Sequence, residues 1–244
     1  MDKQAHAWLE WVISTSQPMR RLDASKSLID LTSSCLIDFR NHRFLLTCQH
    51  SVKLDSNDWF LEVGYDIERG SEIYQPRGFH YIAELSRSAG DFRIIDFCYC
   101  ELPRDFKSSF QERTPRMTGE ECVRHVFETD LAAMPSIEQV YSFAGEIQPE
   151  QHAPNVFLTE LHGYSGLKYL RSENEFHHFQ LPVSHPGHEY FKGCSGAPIV
   201  DMNKQVVALV CSGDEAENTI RGVSLSKLRP ALDFYCNLRK DSKF

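Results

Sequence analysis

Apolar and polar positions alternate in short runs along most of this chain, and the runs are bounded by turn residues. SCLIDF (34–39), the pair Asn41-His42 and RFLLTC (43–48) read as a hairpin, followed by WFLEV (59–63), HYIAEL (80–85) and RIIDFCYCEL (93–102). The second half offers QVYSFAG (139–145), NVFLTELH (155–162), HHFQLPV (177–183), APIV (197–200), QVVALVCS (205–212) and TIRGVSL (219–225). About a dozen strands at such spacings predict barrels or a sandwich. Two segments have helical spacing instead. Trp8, Leu9, Val12 and Ile13, interrupted by Glu10, mark a short amphipathic helix, and Leu228, Leu232 and Tyr235 mark a C-terminal helix packed on a barrel. The stretch 103–137 begins polar and proline-containing, and part of it reads as a linker between an N-terminal and a C-terminal barrel.

Composition narrows the partners. The 244 residues are 41% apolar and 25% charged, ordinary values for one globular unit, and a barrel protein of this length needs no second domain. A net charge of −8 without a block of like charges predicts neither nucleic acid nor an anionic membrane as partner. No run of 18 apolar residues occurs, and the N-terminus lacks a basic region followed by a continuous apolar one. Eight cysteines, at 35, 48, 98, 100, 122, 194, 211 and 236, then read as reduced thiols of a cytoplasmic protein. None of them has the paired two-residue gaps of a structural zinc site, so no metal and no cofactor are expected.

Three short segments carry candidate chemistry. In Phe191-Lys192-Gly193-Cys194-Ser195-Gly196-Ala197-Pro198, a serine stands between glycines ahead of an apolar strand. Gly193 lets the backbone turn so that its N–H and that of Ser195 can face one point, as an oxyanion hole requires. Phe44-Leu45-Leu46-Thr47-Cys48-Gln49-His50 is a strand ending in a histidine, suited to a general base near neutral pH. Ile94-Ile95-Asp96-Phe97-Cys98 puts a carboxylate at the head of an apolar strand, where burial demands a partner such as His50. Asp91, five residues upstream in a Gly-Asp turn, is the competing acid.

These segments resemble the G-x-S-G-x-P signature, the Leu-Thr-Ala-x-His strand and the Asp-[Ile/Leu]-Ala strand of trypsin-like (chymotrypsin-fold) serine proteases, with Cys98 where alanine is usual. The order His50, Asp96, Ser195 is that family's order, and the gaps from 50 to 96 and from 96 to 195 suit a pair of barrels. The resemblance covers roughly residues 30–240 and implies a mostly β fold: two antiparallel six-stranded β-barrels with a short N-terminal and a C-terminal helix. It divides the chain into a helical extension (1–25), a barrel with His50 and Asp96 (26–115), and a barrel with Ser195 and the terminal helix (116–244). Ser195 is implied as nucleophile, His50 as base, Asp96 as its orienting acid, and Gly193 and Ser195 as the oxyanion hole.

The chain departs from secreted members. The usual disulfides, the activation site and the aspartate before the nucleophile are missing; Cys194 stands there instead. The strands QVVALVCSG and RGVSLSK are similar to the end of HtrA-type bacterial proteases, and no PDZ domain is expected after them. Cys194 could itself be the nucleophile, as in viral cysteine proteases of this fold, but the flanking glycines suit Ser195. The resemblance places Glu189 at the base of the S1 pocket, which would favour Arg or Lys at P1, unless the Tyr190 ring fills the pocket and admits only small residues. It gives Cys211, Ser212 and Gly213 the pairing with extended substrate backbone. An intracellular serine endopeptidase acting on protein or peptide substrates is the implied function. A place in a bacterial defence or stress system with an activating partner protein is implied as well, and a non-catalytic peptide-binding or scaffold module is the alternative.

Overall fold

The computed structural model describes residues 3–52, 58–66, 68, 70–85, 92–111, 121–153 and 156–241. Helix α1 (Lys3–Thr15) is followed by β1 (Gln17–Leu22), β2 (Leu28–Phe39), β3 (His42–Thr47), β4 (Trp59–Asp66), β5 (Gly70–Tyr74), β6 (His80–Leu85) and β7 (Phe92–Leu102). These strands pair in the order β5-β4-β1-β2-β3-β7-β6. The β2–β3 hairpin turns through Arg40 and Asn41, both with positive φ (48° and 70°), the backbone that matches the twist of a two-residue hairpin.

Strands β2, β3 and β7 bury both faces, which is why they read as nearly continuous apolar runs. Cys35, Ile37, Phe44, Leu46, Phe97 and Tyr99 face a core shared with Val200, Leu209, Val223 and Leu232 of the second half. On the other face, Leu36, Leu45, Cys98 and Cys100 pack with Met19, Trp59 and Leu61 inside the first sheet.

After a small ribbon, β8 (Ser109–Gln111) and β9 (Glu121–Val123), comes β10 (Val126–Glu128), which pairs in parallel with β2 as the eighth strand of the first sheet. The second half holds β11 (Val140–Ala153), β12 (Val156–Glu173), β13 (Phe176–Gln180), β14 (Pro198–Asp201), β15 (Val206–Asp214) and β16 (Thr219–Ser224). They close into a barrel in the order β11-β12-β13-β16-β15-β14. Tyr141, Phe143, Leu167, Phe179, Ile199 and Ile220 fill its core. Helix α2 (Leu225–Asp241) buries Leu228, Leu232 and Tyr235, with the Tyr235 ring edge-on to Phe44 of β3 at 5.7 Å.

The fold class is the expected one: mostly β, with a closed six-stranded barrel, a second sheet and a helix near each end. Two boundaries differ from the sequence reading. Helix α1 ends at Thr15, and residues 17–22 join the first sheet instead of extending the helix. That strand is hard to see because it carries a buried arginine. Arg20 is 2% exposed and donates to Glu62 Oε2 at 2.7 Å and to Glu146 Oε1, on β11, at 3.0 Å. Residues 126–128, assigned from sequence to the second barrel, pair with β2 because His125 N bonds Ser14 O and brings the chain back to the first sheet.

Arg20→Met leaves the fully buried Glu146 without the guanidinium and should lower stability by about 3–5 kcal/mol, read as a fall in Tm. Adding Glu146→Leu should recover most of that loss. None of the eight cysteines is in a disulfide, so thiol titration in denaturant without reductant should count eight. In the folded protein the half-buried Cys122 should react first; a count of four or fewer in denaturant overturns the assignment.

Candidate active site

Strand β3 ends at Thr47, and the chain turns sharply so that His50 lies over the end of the first sheet. Asp96 sits within β7, which pairs directly with β3, so sheet register fixes the separation of the two side chains. Asp96 Oδ1 accepts the His50 backbone N–H at 2.9 Å, and His50 Nδ1 lies 2.9 and 2.8 Å from the two carboxylate oxygens. A carboxylate only accepts, so Nδ1 carries the proton in the neutral ring and Nε2 offers its lone pair. Nε2 stands 3.0 Å from Ser195 Oγ, which can donate to it. The structure therefore brings His50, Asp96 and Ser195 into one line. Asp91, the competing acid, lies outside the described residues.

Burial works against the charge of Asp96, but the hydrogen bonds and charge of His50, joined by the Cys211 thiol, hold its carboxyl below the ordinary value. Burial pushes the Cys211 thiol up to about 12, so it remains neutral beside that carboxylate.

Ser195 follows a short 3-10 turn (Glu189–Phe191), between two left-handed glycines, Gly193 (φ 99°) and Gly196 (φ 85°). Strand β2 clamps this loop. Ser33 N and Thr32 Oγ1 donate to Ser195 O at 2.8 and 2.7 Å, and Ser33 Oγ donates to Gly193 O at 2.8 Å. The carbonyls are thus held inward, and the N–H groups of Gly193 and Ser195 have no hydrogen-bond partner among the described residues. Cys194 goes the other way: its thiol is buried in the second barrel's core, and burial raises it to about 12. It is not positioned against His50.

A cleft of about 560 Å³ opens beside Ser195 and His50. One wall is Cys211, Ser212 and Gly213 on β15; Cys211 lies at a register shift, Ser212 and Gly213 pair with β16 on one side, and the other edge has left β14 behind. The backbone of Glu189 lies in the 3-10 turn, but its side chain lies outside the described ones. Tyr190 does not fill the cleft; its hydroxyl meets His162 Nδ1 at 3.1 Å. Lys192 and Arg221 also line the cleft, and sequence reasoning assigned neither a role. The only available signal was their place in the runs FKGCSG and TIRGVSL.

Cys48, His50 and Asp96 bring potential ligand atoms within 4.8 Å of one another. The fit to a metal ion is poor. Burial holds the Cys48 thiol well above its ordinary value, and the His50 and Asp96 atoms already bond each other.

No protein-family model matches the chain, and no curated protein matches it. Solved structures do. Human heparin binding protein aligns at a TM-score of 0.59 with 10% identity over 93% of each chain. Neuropsin, a serine protease expressed in the limbic system of mouse brain, aligns at 0.54 with 10% identity over 93% of this chain and 96% of its own. A serine endoprotease from Yersinia pestis aligns at 0.55 with 9% identity over 96% of this chain and 66% of its own. At such identities the likeness is one of fold, and the fold is that of the trypsin-like serine proteases.

The loop's dependence on glycine is testable. A Cβ at position 196 would collide with the Ser33 carbonyl oxygen and Thr47 Oγ1 and would stand on a left-handed backbone. Gly196→Ala should therefore cost at least about 1–2 kcal/mol, read by denaturant unfolding, whereas a change under a few tenths would show that the clamp is loose.

Proposed function

We propose that this chain is a serine endopeptidase in which Ser195 is the nucleophile, His50 the general base and Asp96 the acid that orients it. The observation that carries this reading is His50 bridging Asp96 and Ser195 at 2.8 and 3.0 Å. Ser195 Oγ attacks the scissile carbonyl as its proton passes to His50 Nε2, and the new imidazolium is stabilised by Asp96. The oxyanion is received by the Gly193 and Ser195 N–H groups, which are aligned before substrate arrives because β2 holds the loop's carbonyls. His50 then returns the proton to the leaving amine, and water hydrolyses the acyl-enzyme by the same relay. The open edge at Cys211–Gly213 suits an extended peptide, added as a further strand. Eight cysteines outside any disulfide support a reducing, cytoplasmic setting.

A fluorophosphonate probe should label wild-type protein at Ser195 and fail to label Ser195→Ala. Asp96→Asn should keep the fold and lower kcat by about 10⁴-fold, because the amide favours the wrong imidazole tautomer. Folded wild-type protein that resists labelling would favour a non-catalytic peptide-binding or scaffold module.

A further inference from the structure

We propose that the cleft selects a substrate carrying an acidic side chain, Asp or Glu, near the scissile bond, and that Arg221 is the residue that meets its carboxylate. The proposal deepens the endopeptidase reading and takes its peptide orientation from it.

Charge of both signs lines the cleft: Asp96 and Asp30 with His50, and the cations Arg221 and Lys192. Neither cation forms an ion pair with a described carboxylate, in contrast to Arg93, Arg171 and Arg239, which each lie within 4.0 Å of one. Arg221 is held in place. It sits on β16 opposite Ser212 of the substrate-facing edge, its Nε donates to Ser212 Oγ at 2.9 Å, and its guanidinium carbon lies 5.9 Å from the Phe176 ring centroid. The two terminal nitrogens have no hydrogen-bond partner among the described residues. A fixed guanidinium with an unused pair of donors is the geometry that recognises a carboxylate bidentately. A basic side chain at the same place would instead be repelled by it.

The wall itself carries a second, independent observation. Gly187 N donates to His185 Nδ1 at 3.1 Å, so in the neutral ring the proton is on Nε2. That Nε2 is buried without a hydrogen-bond partner and lies where a Cβ on Gly213, a cleft residue, would have to stand. This orphan donor stands on the opposite face of β15 from Arg221, because Ser212 and Gly213 are successive strand residues, and it needs an acceptor that the described residues do not supply.

The test measures binding first, so that it does not depend on turnover. Fluorescent peptide pools with Glu, Gln or Lys fixed at one position and all others randomised are titrated into Ser195→Ala protein. The Glu pool should bind roughly tenfold or more tighter than the Gln and Lys pools, and Arg221→Gln should remove that advantage. Equal binding of Glu and Gln overturns the proposal, as does a preference for Lys, which would return selection to Glu189. If Arg221→Gln does not fold, the comparison among pools in Ser195→Ala protein still decides. A library digest by wild-type protein then separates the two readings. Glu-selective binding with no hydrolysis leaves acid selection standing and defeats the endopeptidase, and hydrolysis of sequences with no acidic residue near the scissile bond defeats only the acid selection.

Discussion

The loop with left-handed glycines at 193 and 196 satisfies the Cys194 carbonyl itself but leaves those of Gly193 and Ser195 for another element, and it lies where two sheets meet. Strand β2 supplies what is missing through Thr32 and Ser33, both buried, and Ser33 Oγ also accepts the amide of Glu146 on the second barrel. Buried polar groups in such numbers persist only when each has a partner. The consequence reaches the chemistry, because β2 continues through its hairpin into β3 and so into His50. One hairpin both carries the base and holds the nucleophile's backbone. The reach from His50 to Ser195 is thus set by sheet hydrogen bonds and not by a hinge between halves.

The acid is placed by the same sheet, one strand further on. Asp96 is partly buried on β7 among cysteines, and those thiols matter electrostatically. A thiolate beside Asp96 would compete with it for the imidazolium. Burial keeps Cys48, Cys98 and Cys211 protonated, so they act as small apolar packing and leave Asp96, among the described residues, the only anion in contact with His50.

The seam is closed again behind the nucleophile loop and by the two helices. Arg20 bridges Glu62 and Glu146 across the two halves, and Trp8 of α1 donates to Ser142 on β11 at 3.0 Å just before the chain enters the first sheet. Helix α2 also crosses from the second half to the first, through Tyr235 and Phe44. Both ends of the chain therefore pack across the boundary between the sheets, which supports a rigid cleft.

Local sequence determined a good deal. The β2–β3 hairpin, the apolar runs of β3, β7 and β15, both helices, and the three segments around His50, Asp96 and Ser195 are legible because alternation, turn residues and glycine conformations act over a few neighbouring positions. The long β11–β12 ribbon was only half visible, since register shifts interrupt its pairing at three places and break the alternation along it. Strand β1 was hidden by an arginine whose burial is repaid by carboxylates 42 and 126 residues away. The parallel strand β10, the clamp on the nucleophile loop and the presence of Arg221 in the cleft wall were decided by tertiary structure alone. Each depends on partners far apart in sequence, and no periodicity along the chain reports which distant strand will supply the missing hydrogen bond or charge.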